Sequence, residues 1–295
     1  MNKYSGDRVY WIIFIAPALL IVSLFFIIPV IGGFIYSLTD WNGLDKTINF
    51  IGLENYKNLI LNNKRFYSAL THTLIFSFSI TILQNCFGLI LALVMDKNFK
   101  GRNFFRAVYY LPSVLSALVV SYAWSFILNP TMGALNVLFK KIGLNFLVQD
   151  WLGDAKLALF SIIFVVVWQY AGYSMVIYIA GLQNIPLEMY EASSIDGVNA
   201  WQKFRYITFP LLAPAFTINI LLTMISTLKT FDHIFVMTKG GPGYATEVIS
   251  TLLYRESFTN NNMGYGSAIS VILFALITSV SLITLKYLRR RETAI

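Results

Sequence analysis

Long runs without a charged residue are the feature that most limits how this chain can fold. Residues 73–95 and 263–285 each cover 23 positions without Asp, Glu, Lys or Arg. A helix that crosses the hydrocarbon core of a bilayer needs about 20 predominantly apolar residues. Only 12% of the residues are charged, whereas soluble domains contain roughly 25%. The sequence therefore predicts an all-α integral membrane protein and argues against one large soluble core.

Six hydrophobic segments predict six transmembrane helices in a single domain that covers residues 1–295. The predicted helices cover residues 10–38, 72–95, 107–128, 157–182, 208–231 and 265–286. The first segment is too long for a signal peptide and lacks a small-residue cleavage site, so we expect it to remain as a helix. Prolines inside several of these segments predict kinks.

The distribution of basic residues predicts the orientation of the helices. Six crossings place both termini on one side of the membrane. Basic clusters at residues 97–106 and 286–291 lie directly beside helix ends, as the positive-inside rule requires of cytoplasmic segments. We therefore expect cytoplasmic N- and C-termini. The net charge of +8 is spread over loops instead of one face, so no nucleic-acid partner is expected.

The connection between the fourth and fifth predicted helices, residues 184–210, has a specific local pattern. Pro186 suits the first turn of a helix, and Gly197 interrupts that helix. Asn199 and Gln202, three residues apart, predict a capping box that begins a second short helix. Trp201, Phe204 and Ile207 form an apolar stripe at helical spacing. Such a helix binds either a groove on another protein or the membrane surface, and the spacing alone does not choose between them.

This connection resembles the glutamate-alanine-alanine loop of permeases from binding-protein-dependent ABC importers. Glu191, Ala192, Gly197, Ile207 and Pro210 match that loop at its spacing, and Ser193 and Phe209 replace its usual alanine and leucine. In the family, the loop docks into a cleft on the ATP-binding subunit. The resemblance implies this set of ATPase-coupling residues: Glu191, Ala192, Ser193, Asp196, Gly197, Trp201, Phe204, Ile207 and Pro210.

The resemblance covers nearly the whole chain and is closest to the sugar permeases. FIGLENYKNL at residues 50–59, TKGGPGYAT at 238–246 and GYGSAIS at 264–270 are typical of that branch, which includes lactose-type, glycerol-phosphate-type and maltose-type permeases. It implies a bacterial cytoplasmic-membrane importer of carbohydrates. It also implies four kinds of partner, namely a second, distinct permease, two ATP-binding subunits, an extracellular solute-binding protein and the sugar.

Two polar patches are candidates for the substrate path. On the fifth predicted helix, polar side chains share one face, and on the fourth an amide and two phenols cluster. These residues are Asn219, Thr223, Ser226, Thr227 and Thr230, together with Gln169, Tyr170 and Tyr173. Amides and hydroxyls bind sugar OH groups, and aromatic rings cover their CH faces. The alternative is that these residues join membrane helices to one another, which is the more common role of a single polar residue.

Other motifs limit the chemistry that the chain can perform. No GxxxxGK[ST] phosphate loop occurs, so ATP and magnesium are expected on partner ATPases, with no cofactor in this chain. Cys86 is the only cysteine, and His72 and His233 lack further ligands at metal-binding spacing, so no metal site is expected. We predict both histidines to be interfacial residues at helix ends.

Three alternative functions remain beside a sugar importer. The first is an ABC permease for a sugar phosphate such as glycerol phosphate. The second is a stand-alone secondary transporter, which normally needs charged residues at mid-membrane depth, and none are predicted here. The third, an intramembrane enzyme, lacks a paired catalytic constellation. We therefore predict a transport subunit and not an enzyme.

Overall fold

The computed structural model describes residues 14–292 of the chain, and it places most of them in helices. The helices, numbered in chain order, are α1 Phe14–Tyr36, α2 Glu54–Asn62, α3 Lys64–Met95, α4 Arg102–Val114, α5 Ala117–Ile127, α6 Ala134–Lys141, α7 Ala158–Gln183, α8 Leu187–Ile195, α9 Ala200–Leu211, α10 Ala213–Leu228, α11 Asp232–Met237, α12 Ile249–Tyr254 and α13 Met263–Glu292. Within the described part, the β pairing is an isolated bridge between Thr39 and Phe50.

Among residues 14–292, four helices are long and apolar enough to cross a membrane alone, and two bent pairs could each add one crossing. The single spans are α1, α3, α7 and α13, and the pairs are α4 with α5 and α9 with α10. This agrees with the predicted all-α membrane fold. Residues 10–13 of the first predicted helix lie outside the described part of the chain.

The third and fifth predicted helices, residues 107–128 and 208–231, each divide into two helices near their prolines, where kinks were predicted. The third is broken between α4 and α5 with a bend of 96°, and the fifth between α9 and α10 with a bend of 66°. Leu115 and Ser116 adopt extended backbone conformations, three residues after Pro112. Pro214 lies in the first turn of α10, where its missing N–H cannot continue the helix of α9.

The contacts divide the described chain into two units. One contains the residues up to Lys64 together with Leu253–Phe274, and the other contains Arg65–Leu252 together with the residues from Ala275 onward. In the first unit, the buried side chain of Asn55 donates hydrogen bonds of 2.9 Å to the carbonyls of Ser37 and Thr39. These bonds satisfy backbone acceptors released where α1 ends.

The second unit is built around α7. In the most apolar 18-residue stretch of α7, 61% of the residues are buried, whereas no residue is buried in the corresponding stretch of α1. Two hydrophobic clusters pack on α7. One includes Ile162 with Phe76 of α3 and Ile234 of α11, and the other includes Tyr178 with Leu212.

Buried polar side chains also join α3, α7 and α10. Gln84 donates to the hydroxyl of Ser174 at 2.8 Å, and Ser174 donates to the side-chain oxygen of Asn219 at 3.1 Å. Tyr178 donates to the side-chain oxygen of Asn85 at 2.7 Å. Because hydrocarbon supplies no hydrogen-bond partners, these contacts satisfy the polar groups and hold the three helices together.

An ion pair connects the beginning of α3 to the segment that follows α11. Arg65 binds both carboxylate oxygens of Glu247, which is 1% exposed. The distance from Arg65 Nη2 to Glu247 Oε1 is 2.7 Å. The Arg65 guanidinium also lies 3.9 Å from the centre of the Tyr244 ring. His72 Nδ1 lies 3.1 Å from the Glu247 carbonyl oxygen. The charge on Glu247 is therefore paired as well as buried.

We predict that Gly172→Ala strongly destabilises the second unit. A Cβ at Gly172 would lie 1.9 Å from the Tyr109 carbonyl oxygen, so α4 and α7 would have to separate. The free energy of unfolding is expected to fall by about 1–3 kcal/mol, as it does at other overpacked sites. It is measured as a lower thermal unfolding temperature of the purified protein. Gly33→Ala is the matched control, since a Cβ at Gly33 meets nothing within 4 Å. Equal unfolding temperatures for the two variants would contradict the close approach.

Candidate functional site

A cavity of about 680 Å³ lies within the second unit, beside the break between α4 and α5 and the last turns of α10. Its walls come from α3, α4, α5, α7, α10, α11 and the turn before α11. The lining residues are Gln84, Tyr110, Ser113, Val114, Ala117, Val166, Tyr170, Tyr173, Leu222, Thr223, Ser226, Thr227, Lys229, Thr230, Phe231, Asp232 and His233. We call it the central cavity.

The central cavity contains six of the eight residues that the sequence suggested for a substrate path. Those six are Tyr170, Tyr173, Thr223, Ser226, Thr227 and Thr230. The other two, Gln169 and Asn219, are fully buried and do not line it. Asn219 binds Ser174 through both ends of its amide. Gln169 donates to the Leu115 carbonyl at 3.1 Å, and its oxygen lies 2.8 Å from His233 Nε2.

The hydroxyl groups on α10 already use their protons within the helix. Ser226 and Thr227 donate to the Thr223 carbonyl at 2.9 and 2.8 Å, and Thr230 donates to the Ser226 carbonyl at 3.1 Å. A hydroxyl oxygen that donates its proton can still accept hydrogen bonds. Thr227 already bonds to Ser77 at 2.8 Å and Thr223 accepts from Gln84, so the Ser226 and Thr230 oxygens are the ones that suit a ligand rich in hydroxyl donors.

Sequence reasoning missed several lining residues, which lie beside the break after α4 and beyond the end of α10. Tyr110 and Ser113 enter from α4, Phe231 from the turn that follows α10 and Asp232 from α11. Pro112 was the available signal for the first break, but a proline alone does not show whether a membrane helix bends or breaks. Aromatic rings and hydroxyls thus share the cavity surface with one Lys and one Asp.

His233 is not the interfacial residue that the sequence suggested. It is 4% exposed and bonded to Gln169, and its ring lies edge-on to Tyr170. Burial lowers the pKa of His233 to about 4, although the carboxylate of Asp232 acts in the opposite direction. His233 is therefore neutral near pH 7, because protonation would place a charge where water is excluded.

The segment between α7 and α10, residues 184–210, folds into the predicted pair of short helices. Gly197 has φ +71° between α8 and α9, and Asn199 and Gln202 form the predicted capping box. Lys203 donates to Ser194 at 3.0 Å and thereby joins the two helices. We call this stretch the linker segment.

The linker segment exposes carboxylates beside large apolar side chains. Glu191, Ala192 and Asp196 are exposed, while Ser193 is buried and donates to the Tyr190 carbonyl. Trp201 is 69% exposed and Ile195 is 87% exposed. Phe204, Ile207 and Pro210 are half-buried, so the predicted stripe faces partly inward. Trp201, Phe204 and Pro210 also line a groove of about 870 Å³ with α10 and Leu288.

Comparison with known proteins identifies the family. Residues 84–293 match the family described as "Binding-protein-dependent transport system inner membrane component". A probable starch degradation products transport system permease of Thermoanaerobacterium thermosulfurigenes is 35% identical over 290 residues, 98% of this chain and 97% of that protein. A multiple sugar-binding transport system permease of Streptococcus mutans is 35% identical over 292 residues, which are 99% of this chain and 98% of that protein.

A solved structure shows the same fold. It is a chain of the bacterial alginate ABC transporter in complex with an alginate pentasaccharide-bound periplasmic protein, with a TM-score of 0.86, 21% identity and coverage of 99% of both chains. These matches confirm the resemblance seen in the sequence. The chain therefore belongs to the binding-protein-dependent transport system inner membrane components, as a permease subunit of a sugar ABC importer.

Proposed function

We propose that the central cavity is this subunit's part of the path for an uncharged carbohydrate. The observation that carries the proposal is the composition of its lining. Three tyrosines, Tyr110, Tyr170 and Tyr173, share the cavity with the hydroxyl wall of α10. Rings cover the CH faces of a sugar, and hydroxyl oxygens accept hydrogen bonds from its OH groups.

The charges in the cavity favour a neutral sugar over a sugar phosphate. Its lining contains one basic residue, Lys229, and one acidic residue, Asp232, so their formal charges cancel. Phosphate sites usually combine several Arg or Lys donors. A sugar phosphate such as glycerol phosphate remains the second candidate. It requires additional cations from another subunit.

The linker segment is proposed to couple this path to ATPases on separate chains. It displays exposed apolar residues beside Glu191, as a surface that binds another protein does. The hydroxyls of Tyr190 and Thr208 lie 3.2 Å apart and connect α8 to α9, which leads into α10. A displacement of α8 would therefore reach the helix that carries Thr223 and Ser226.

The full assembly is proposed to contain a second permease, two ATP-binding subunits and an extracellular solute-binding protein. The linker segment and both termini then face the cytoplasm, ATP and magnesium bind the partner ATPases, and this chain performs no hydrolysis. Transport proceeds by alternating access, in which each ligand shifts the equilibrium by binding one state better than the other. Co-purification tests this composition, because a stand-alone secondary transporter would bring no ATPase with it.

Replacing a cavity tyrosine is expected to weaken sugar uptake. In the assembled importer in proteoliposomes, Tyr173→Ala should raise the half-saturating sugar concentration about tenfold, because a ring contact is lost. Tyr173→Phe keeps the ring and should have a smaller effect. Tyr122→Ala is the control, since Tyr122 is 60% exposed and lies outside the cavity lining. Unchanged uptake by Tyr173→Ala would refute the proposed path.

Replacing Gly197 is expected to uncouple ATP hydrolysis from transport. A Cβ there meets nothing within 4 Å, but φ is +71°, a conformation that costs a β-branched residue roughly 1–3 kcal/mol. Gly197→Val should therefore redirect the bend between α8 and α9. More ATP should be hydrolysed per sugar imported, measured as the ratio of phosphate released to sugar accumulated.

Gly143→Val is the matched control for this experiment. Gly143 also has positive φ, +79°, and open space around its Cβ position, but it follows α6 and lies far along the chain from the linker segment. Gly143→Val therefore introduces a similar backbone strain outside the linker segment. If both variants change the ratio equally, the linker segment has no special role in coupling.

A further inference from the structure

Two hydrogen bonds in series join three walls of the central cavity. The Leu115 carbonyl accepts from Gln169 Nε2 at 3.1 Å, and Gln169 Oε1 lies 2.8 Å from His233 Nε2. Gln169 is 0% exposed and His233 is 4% exposed. The three residues belong to the break after α4, to α7 and to α11. We call this arrangement the buried junction.

The break after α4 explains why the Leu115 carbonyl needs the hydrogen bond from Gln169. Leu115 has ψ 146° and Ser116 has ψ 138°, so neither continues the helix, and the Leu115 carbonyl loses the acceptor role it would have inside one. An unsatisfied carbonyl away from water costs free energy. Gln169 supplies the missing donor, and the break is thereby fixed to α7.

The orientation of Gln169 then determines the proton on His233. A backbone carbonyl only accepts, so the Gln169 nitrogen must face Leu115 and its oxygen must face His233. His233 therefore donates from Nε2, as a neutral ring protonated at that atom. Asp232 and Tyr170 are the titratable neighbours of the ring. The donor and the acceptor of each hydrogen bond in the junction are thus determined.

The neighbours of the junction are residues that line the cavity. Val114 and Ala117 flank the break, Tyr170 follows Gln169, and Asp232 precedes His233. We propose that Gln169 and His233 are positioning residues that hold these three walls at the spacing which the carbohydrate requires. This inference rests on the proposed function, and it changes Gln169 from a predicted sugar contact into a support behind the wall.

Hydrogen–deuterium exchange of the assembled importer tests the junction without a sugar. His233→Phe keeps a ring but removes the donor, so amides at residues 115–120 should exchange about tenfold faster. His233→Gln retains a donor and should restore most of the protection. His72→Phe, at the other histidine of the chain, should leave this segment unchanged. Wild-type exchange in His233→Phe, or no rescue by His233→Gln, would overturn the proposal.

Uptake kinetics provide the second readout. With the carbohydrate that co-purifies with the solute-binding protein, identified by mass spectrometry, His233→Phe should raise the half-saturating concentration more than it lowers the maximal rate. An unchanged half-saturating concentration contradicts the positioning role. If His233→Phe does not assemble, Gln169→Glu decides, because it keeps an acceptor for His233, loses the donor to Leu115 and places a carboxylate oxygen against that carbonyl. It should show the same fast exchange, and wild-type exchange refutes the junction.

The two proposals fail in different ways. If Tyr173→Ala transports normally while His233→Phe exchanges rapidly at residues 115–120, the junction exists but the cavity is not the sugar path. If Tyr173→Ala is impaired and the exchange is unchanged in His233→Phe, the path stands and the junction does not support it.

Discussion

The polar backbone of a membrane protein must find its partners inside the protein, and this requirement governs the second unit. Where the third span breaks, Leu115 leaves the helical conformation, and Gln169 of α7 donates to its carbonyl at 3.1 Å. Hydrocarbon could not supply that bond. Gln84, Ser174 and Asn219 bond to one another and thereby connect α3, α7 and α10. Gln84 and the residues on either side of the break after α4 line the central cavity.

The same buried amides explain why part of the site could be read from the sequence and part could not. Spacing placed Thr223, Ser226, Thr227 and Thr230 on one face of a helix, and that face does line the cavity. Spacing could not distinguish Tyr173, which reaches the cavity, from Asn219, which binds Ser174. That distinction depends on which helix lies opposite, and only the packing supplies it.

The fold shows a similar division. Run length and hydropathy predicted α1, α3, α7 and α13, since a long apolar run has one stable arrangement in a bilayer. The prolines predicted kinks in these two spans, but not that each span divides into two helices after Val114 and Leu211, because membrane helices also tolerate prolines at which they only bend. In the linker segment the local pattern was sufficient: the Asn199–Gln202 capping box and the turn at Gly197 depend on neighbouring residues. The sequence therefore predicted features that depend on neighbouring residues, but not those that depend on contacts between distant helices.

The ion pair between Arg65 and Glu247 ties the first end of α3 to the segment that follows α11. Removing one partner of a buried pair costs about 3–5 kcal/mol, so this end of the helix resists separation from the chain beside it. At the other end, Arg106 donates to the Met95 carbonyl at 2.7 and 3.1 Å, and Met95 packs in a cluster with Leu182 and Ile185. An arginine contact therefore restrains each end of α3, one made from within the helix and one from α4.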